Sequence, residues 1–202
     1  MTKVNTDNYF EREYGDPNYI DKFCRTGING PNEVWRLDLP NYVENGQSFL
    51  DVGCGTGADW EQLQNADKKV KYKGIDYAPS ILEGAKKMCP GAEFAVGDVN
   101  DLQEKDNSWD VVNCRHVINH TEYYEKPLKE LLRVAKKRVI LTLHVPFSLK
   151  DMDEIREYPP YSWENAYDRG KFVKFLEGLD VKIVTFEERH KGGNETFIVF
   201  DK

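Results

Sequence analysis

The chain has 202 residues, with 28 Lys and Arg against 35 Asp and Glu, so its net charge is −7. That length suits one domain whose core needs no disulfide or metal staple. The acidic balance argues against a nucleic-acid partner, which is met by a basic face.

The four cysteines (Cys24, Cys54, Cys89, Cys114) form no C-x-x-C pair and are expected to be reduced and mostly buried, as in a cytoplasmic protein. MTKVNTDNYF is too polar for a signal peptide, so none is expected. No apolar run approaches the ~20 residues of a membrane span, so no membrane association is expected.

In chain order, the first 47 residues are polar and aromatic (YFEREYGDPNYIDKF) and are expected to form a helical cap over the site. SFLDV (48–52) is a short apolar run stopped by Gly53. KVKYKGID (69–76) reads as a second strand, followed by a helix opening at Pro79, a favoured first helical residue. AEFAVGD (92–98) and WDVVNCR (109–115) read as strands three and four. KELLRVAKK (129–137) has helical periodicity and a basic end suited to a helix C-terminus. RVILTLHV (138–145) is a buried fifth strand. YDRGKFVKFLEGL (167–179) reads as a helix, and DVKIVTFEE and ETFIVFD flank a hairpin signal, RHKGGN.

Strands alternating with helices predict a parallel sheet covered on both faces. The last two strands are joined too tightly for a crossover, so one must run antiparallel. Ligands of such sheets sit at the carboxyl ends of the strands.

FLDVGCGTGADW (49–60) lies at the first of those ends. Gly53, Gly55 and Gly57 permit a sharp turn and bring bare backbone against a ligand. The sequence GCGTGA also satisfies a dinucleotide fingerprint, a weak signal alone. Asp51 speaks against a dinucleotide, because a carboxylate there repels a pyrophosphate but pairs with an ammonium group. Asp76 ends the second strand and can accept from ribose hydroxyls. Asp98 ends the third and can accept from an adenine amino group while the Val99 N–H donates to the ring; alternatively, Asp98 is only a helix N-cap. Ammonium, ribose and adenine are parts of S-adenosylmethionine.

D-x-G-x-G-x-G at 51–57, GIDYAPSIL at 74–82 and GDVNDL at 97–102 together resemble the class I S-adenosylmethionine-dependent methyltransferases, and WDVVNCRHVINH and LLRVAKKRVILT continue the likeness over about 48–145. The resemblance implies a Rossmann-like α/β/α sandwich with strand order 3-2-1-4-5-7-6, the last strand antiparallel, as a single domain over 1–202. It implies S-adenosylmethionine as cofactor and S-adenosylhomocysteine as product. Asp51 would reach the methionine end, Asp76 and Tyr77 the ribose and adenine, and Asp98 and Val99 the base; Arg115 is placed with Gly53, Gly55 and Gly57 in the cofactor set. The Lys-Pro-Gly-Gly turn common before strand 5 is absent, and RVAKKRVIL runs straight in.

The acceptor is expected at the ends of strands 4 and 5, under a lid formed by 148–170, because long connections in compact domains are often functional. Of the four histidines, His116, His120 and His144 fall there, and His190 falls near the hairpin. A histidine at a strand end can act as a general base or simply pack; His120 is the first choice as base. HVINH also resembles the E-x-x-E-H segment of metal-binding ubiquinone-pathway O-methyltransferases and small-RNA 2′-O-methyltransferases. Position by position, His116, Asn119 and His120 stand for Glu, Glu and His; the loss of two carboxylates disfavours magnesium, a softer metal such as zinc or iron would suit the histidines better, and no residue is assigned as a metal ligand.

The absence of an N/D-P-P-Y motif weakens a nucleobase or glutamine-amide substrate. The expected function is methyl transfer to a hydroxyl or amine of a small metabolite such as a sugar derivative. The alternatives are a metal-assisted RNA or quinol O-methyltransferase and a non-catalytic cofactor-binding partner subunit.

Overall fold

The computed structural model describes residues 36–145, 147–158, 162–189 and 195–202. The expected cap over 1–47 therefore lies almost wholly outside the described residues, as do His190 and the hairpin turn around it. The described part of that cap holds one short 3-10 turn, Leu39–Tyr42.

Nine strands and four α-helices follow. The strands are β1 (Ser48–Val52), β2 (Lys71–Asp76), β3 (Glu93–Val96), β4 (Trp109–Arg115), β5 (Ala135–Leu143), β6 (Glu157–Tyr158), β7 (Ser162–Trp163), β8 (Lys182–Arg189) and β9 (Glu195–Asp201); the helices are α1 (Ala58–Asn65), α2 (Pro79–Met88), α3 (Glu125–Val134) and α4 (Arg169–Glu177). Seven strands form one sheet in the order β3-β2-β1-β4-β5-β9-β8, and β6 and β7 form a separate pair. Counting only the seven, this is the expected 3-2-1-4-5-7-6. β1 pairs parallel with β2, β2 with β3 and β4 with β5, whereas β9 runs antiparallel to both β5 and β8.

The chain divides into two compact units, Met1–Asp98 and Val99–Lys202. In the first, β1 is buried from its second residue onward, so its apolar run reads continuously, as parallel strands do. α2 starts on Pro79 and ends on Lys86 and Lys87, a start and a stop that suit the helix dipole. Its Ile81 and Leu82 pack with Cys54, Ala78 and Phe94.

In the second unit, α3 buries Pro127, Leu128, Leu131 and Val134, spaced at one helical face. It hands over to β5 at Ala135 with no intervening loop, so Lys136 and Lys137 belong to the strand rather than to a basic helix end. The direct entry foreseen for RVAKKRVIL is real. α4 is capped by Asp168, whose carboxylate accepts the Lys171 N–H at 2.7 Å.

Among its described residues, the 148–170 connection carries the antiparallel pair β6–β7 and two isolated bridges, Ser148 to Asp168 and Glu154 to Ala166. Tyr167 is buried from this segment and packs edge-on against Tyr124, with ring centroids 4.8 Å apart. Leu149, Met152 and Ile155 are exposed. Cys54, Cys89 and Cys114 are buried free thiols, as expected; Cys24 lies outside the described residues. Among the described residues no helix is long and apolar enough to cross a membrane.

Candidate active site

In the first unit the glycine loop is built by hydrogen bonds from β2. The N–H groups of Gly53 and Cys54 both donate to the Ile75 carbonyl, at 2.7 and 3.0 Å. The Asp76 carboxylate accepts the Gly55 N–H at 2.9 Å and the Ala78 N–H at 3.0 Å. Asp76 thus ties the loop after β1 to the start of α2. A carboxylate has about four acceptor positions, so these two bonds do not exhaust it.

Gly53, Gly55 and Gly57 all have positive φ. Gly57, at φ +83°, is the residue before α1, and a Cβ there would sit 2.7 Å from Cys89 Sγ. Its bareness serves packing. At Gly55 (φ +53°) a Cβ would meet only Ile81 Cδ1, at 3.7 Å. Gly53, Gly55, Asp76, Tyr77 and Asp98 are half-buried, while Cys54, Thr56, Gly57 and Ala78 between them are buried. Of the residues the resemblance assigned to the cofactor, Asp51, Gly57, Val99 and Arg115 are buried instead.

Asp51 is buried opposite Gly74 in the β1–β2 register, and its Oδ2 accepts the Tyr72 hydroxyl at 2.7 Å. Burial, then the Asp51 charge, raises the Tyr72 hydroxyl well above its ordinary pKa, so it remains a donor. Burial also raises the Cys54 thiol, with Asp76 and Asp51 adding to the effect, so no thiolate forms in the loop. The first turn of α1 carries Asp59 and Glu61. Acidic groups there oppose the anion binding that a helix N-terminus otherwise favours. Arg36 makes a buried ion pair with Asp59, a partnership the sequence did not reveal. The loop thus suits a cationic, ribose-bearing ligand better than a pyrophosphate.

The second unit gathers the three histidines. His116 does not open a helix. It has a left-handed backbone (φ +57°), and only a 3-10 turn, Ile118–His120, follows. The rings meet around His144 instead: His120 stacks on it at 4.7 Å and His116 lies tilted at 5.3 Å. The sheet explains the meeting. Arg115 pairs with Thr142 across β4–β5, and Leu143 pairs with Thr196 across β5–β9. β9 runs antiparallel, so its first residue, Glu195, arrives where β4 and β5 end.

Glu195 Oε1 lies 2.5 Å from His116 Nε2 and accepts from Arg115 at 2.8 Å. Arg115 is therefore engaged with Glu195, a contact not foreseen for a cofactor residue. Asp98 and Val99 follow β3, and Val99 is buried.

His120 Nδ1 faces the Trp163 carbonyl at 2.7 Å. A carbonyl only accepts, so Nδ1 carries the proton and Nε2 holds the lone pair of the neutral ring. Burial lowers the His120 pKa, against the opposing pull of that carbonyl. Burial, followed by the charges of His120 and His116, lowers His144 to about 3, and its Nδ1 is buried with no hydrogen-bond partner among the described residues. Among those residues no group of three or more His, Cys, Asp or Glu is arranged to hold a metal ion.

Two buried asparagines, Asn119 of the HVINH segment and Asn165, which the sequence reading missed, stitch the described part of the 148–170 segment to this cluster. Asn119 Nδ2 donates to the Asn165 carbonyl at 2.7 Å, and its Oδ1 accepts the His144 N–H at 3.1 Å. Asn165 Nδ2 donates to the Thr121 carbonyl at 2.7 Å. Asn119→Ala removes a buried donor and acceptor together. It should cost about 2–6 kcal/mol, from roughly 1–3 kcal/mol for each of the two buried groups left unsatisfied. Urea unfolding of the variant measures this, and a loss below 1 kcal/mol would show that the segment is not held here.

Comparison with known proteins bears on the family and the fold. Residues 43–177 match the methyltransferase domain family. The chain is 31% identical over 159 residues to the 2-methyl-6-phytyl-1,4-hydroquinone methyltransferase of Synechocystis, covering 77% of this chain and 48% of that protein. It is 34% identical over 110 residues to the demethylmenaquinone methyltransferase of Renibacterium salmoninarum, covering 53% and 45%. The chain spans about half the length of the curated relatives it matches.

Among solved structures, a chain of the Haloferax volcanii complex between the Trm112 methyltransferase activator and a putative methyltransferase superposes with a TM-score of 0.75. The overlap covers 98% of this chain and 99% of that one at 14% identity, which speaks to fold alone. The chain belongs to the class I S-adenosylmethionine-dependent methyltransferases. S-Adenosylmethionine is its cofactor.

Proposed function

We propose that this chain transfers the methyl group of S-adenosylmethionine to a hydroxyl, or else an amine, of a small molecule. The observation that carries the reading is the accessible face of Gly53, Gly55, Asp76, Tyr77 and Asp98 beside the buried Asp51. When bound, the cofactor supplies a methyl carbon on a positively charged sulfur. In this reading Asp51 faces the ammonium end, Asp76 and Tyr77 take the ribose side, and Asp98 with Val99 takes the base.

The ends of β4 and β5 are assigned to the acceptor. A displacement needs the attacking atom in line, about 3–3.5 Å from the methyl carbon, and a hydroxyl must also lose its proton. His120, His116 and His144 are the groups we assign to that task. The neutral His120 ring, with its lone pair on Nε2, is already a proton acceptor. The 148–170 segment, anchored by Asn119 and Asn165, covers the acceptor in this reading and screens it from water. Two relatives are named for demethylmenaquinone and a hydroquinone as acceptors. A quinone or hydroquinone is accordingly the first acceptor class to assay, with product analysis to locate the methylated atom, followed by sugar hydroxyls and amines. Turnover of none of them, by protein that binds the cofactor, would favour a non-catalytic partner role.

Asp76→Ala should weaken S-adenosylhomocysteine binding about 10- to 100-fold, the equivalent of one charge-assisted hydrogen bond. It should also lower the melting temperature, because the Gly55 and Ala78 N–H groups lose their acceptor. Calorimetric titration of the folded variant checks this. Unchanged affinity would remove Asp76 from the ribose.

A further inference from the structure

Tyr72 is buried on β2, and nothing in the methyl-transfer reading uses its hydroxyl. That hydroxyl donates to Asp51 Oδ2 at 2.7 Å. We infer that Tyr72 is a positioning residue. Its hydroxyl holds the Asp51 carboxylate for the ammonium end of the cofactor, and so sets how strongly the loop favours ligands that carry that charge. The inference rests on the cofactor assignment above. Every group it needs belongs to the first unit, Met1–Asp98.

The register of the sheet builds the contact. Phe49 pairs with Tyr72, and Asp51 pairs with Gly74. Side chains two residues apart on a strand share a face, so Phe49, Asp51 and Tyr72 point the same way. On one face of a strand pair, diagonal neighbours lie about 7–8 Å apart, within reach of an aromatic side chain. Tyr72 therefore reaches Asp51 from one pleat back. Gly74 sets no side chain level with Asp51, and a Cβ there would lie 2.7 Å from both Cys54 Sγ and Phe94 Cδ1. The reach is left to Tyr72.

The ring is fixed on two sides. It stacks on Phe49 with centroids 5.9 Å apart and an interplanar angle of 13°, and it meets Phe94 edge-on at 6.0 Å. Phe49 is buried on β1, and Phe94 is half-buried on β3. A ring locked by packing presents its hydroxyl in one place, which is how a binding group is preorganised.

Asp51 needs such a partner. Its carboxylate is 1% exposed, and a buried charge must be met by groups that favour it. Tyr72 supplies one of them. The terminal torsion of an aspartate is broad, and a donor on Oδ2 narrows it. Burial first, then the Asp51 charge, raises the hydroxyl well above its ordinary pKa, so it donates rather than ionises.

Calorimetric titration with two ligands tests the inference. S-Adenosylhomocysteine carries the ammonium; 5′-methylthioadenosine has the same adenine, ribose and sulfur but no amino-acid end. Tyr72→Phe keeps the ring against Phe49 and Phe94 and removes only the hydroxyl. It should weaken S-adenosylhomocysteine about 10-fold, the scale of one hydrogen bond to a charged group, and 5′-methylthioadenosine less than about 2-fold. Asp51→Asn should show the same selective loss, and adding Tyr72→Phe to it should bring little more, because the two act through one contact. Equal losses for both ligands would make Tyr72 a packing residue and overturn the inference, as would no loss for either.

Should Tyr72→Phe not fold, the unmutated protein decides. The carbon-13 resonance of Tyr72 Cζ should shift on saturation with S-adenosylhomocysteine and stay in place with 5′-methylthioadenosine. An unmoved resonance, or equal shifts with the two ligands, overturns the inference. Failure of the unmutated protein to bind either ligand is a separate result, which removes the cofactor assignment and the inference with it.

Discussion

Gly57→Val should cost about 2–5 kcal/mol of folding stability. The residue has φ +83°, and its added Cβ would lie 2.7 Å from Cys89 Sγ and 3.2 Å from Phe94 Cζ. Left-handed backbone costs an ordinary residue about 1–2 kcal/mol, and overpacking a tight site adds about 1–3 kcal/mol. Cys89 and Phe94 belong to α2's end and β3, so the clash pushes the loop off both.

Gly55→Val is the informative companion. Its Cβ meets only Ile81 at 3.7 Å, so it should lose about 1–2 kcal/mol of stability from backbone strain alone. It nevertheless stands on the accessible face and should abolish S-adenosylhomocysteine binding. Chemical denaturation and ligand titration of both variants separate packing from recognition. Equal stability losses in the two would show that Gly57 is not the packed position.

The second large effect is on acid stability. His144 is held neutral in the fold, its pKa lowered from 6.5 to about 3 by burial first. The unfolded chain protonates this ring at its ordinary pKa, so below 6.5 the unfolded state binds more protons than the folded one. Stability from this group is fully present above pH 6.5 and falls as the pH drops toward 3. Each pH unit in that window removes about 1.4 kcal/mol, or roughly 2.5 kcal/mol between pH 6.5 and pH 4.5. His144→Phe keeps a ring against His120 and cannot titrate. The variant should lose correspondingly less stability over the same interval. Parallel pH profiles for parent and variant would place the acid sensitivity elsewhere.

Much of the sheet was legible because it is built from short apolar runs punctuated by glycine and aspartate. β1 and β4 fall on the residues predicted for them, SFLDV and WDVVNCR. The ends of β2, β3 and α3 moved by a few residues, where hydrogen-bond pairing outweighs local pattern. The antiparallel last strand followed from the shortness of its turn.

The acceptor side was only half legible. Three histidines near two strand ends are visible in a string of letters. That they meet around His144 depends on the left-handed turn at His116, which no helical spacing describes. Glu195 is 79 residues from His116, and only the antiparallel course of β9 returns it to that edge. Its one signal was a charged residue at the head of the apolar run TFIVF. Asn165 and Arg36 gave none, and Asn119 only its place in HVINH, because a buried polar side chain is recognised by its partners and not by its neighbours in sequence.

The central claim is that the Asp51–Gly53–Gly55–Gly57 loop, with Asp76 and Asp98, is a site for S-adenosylmethionine. Calorimetric titration of the unmutated chain with S-adenosylmethionine, S-adenosylhomocysteine and NAD tests it most directly. Saturable one-to-one binding of the first two, with no heat from NAD, is the predicted result. Tight NAD binding without S-adenosylhomocysteine binding would contradict the account.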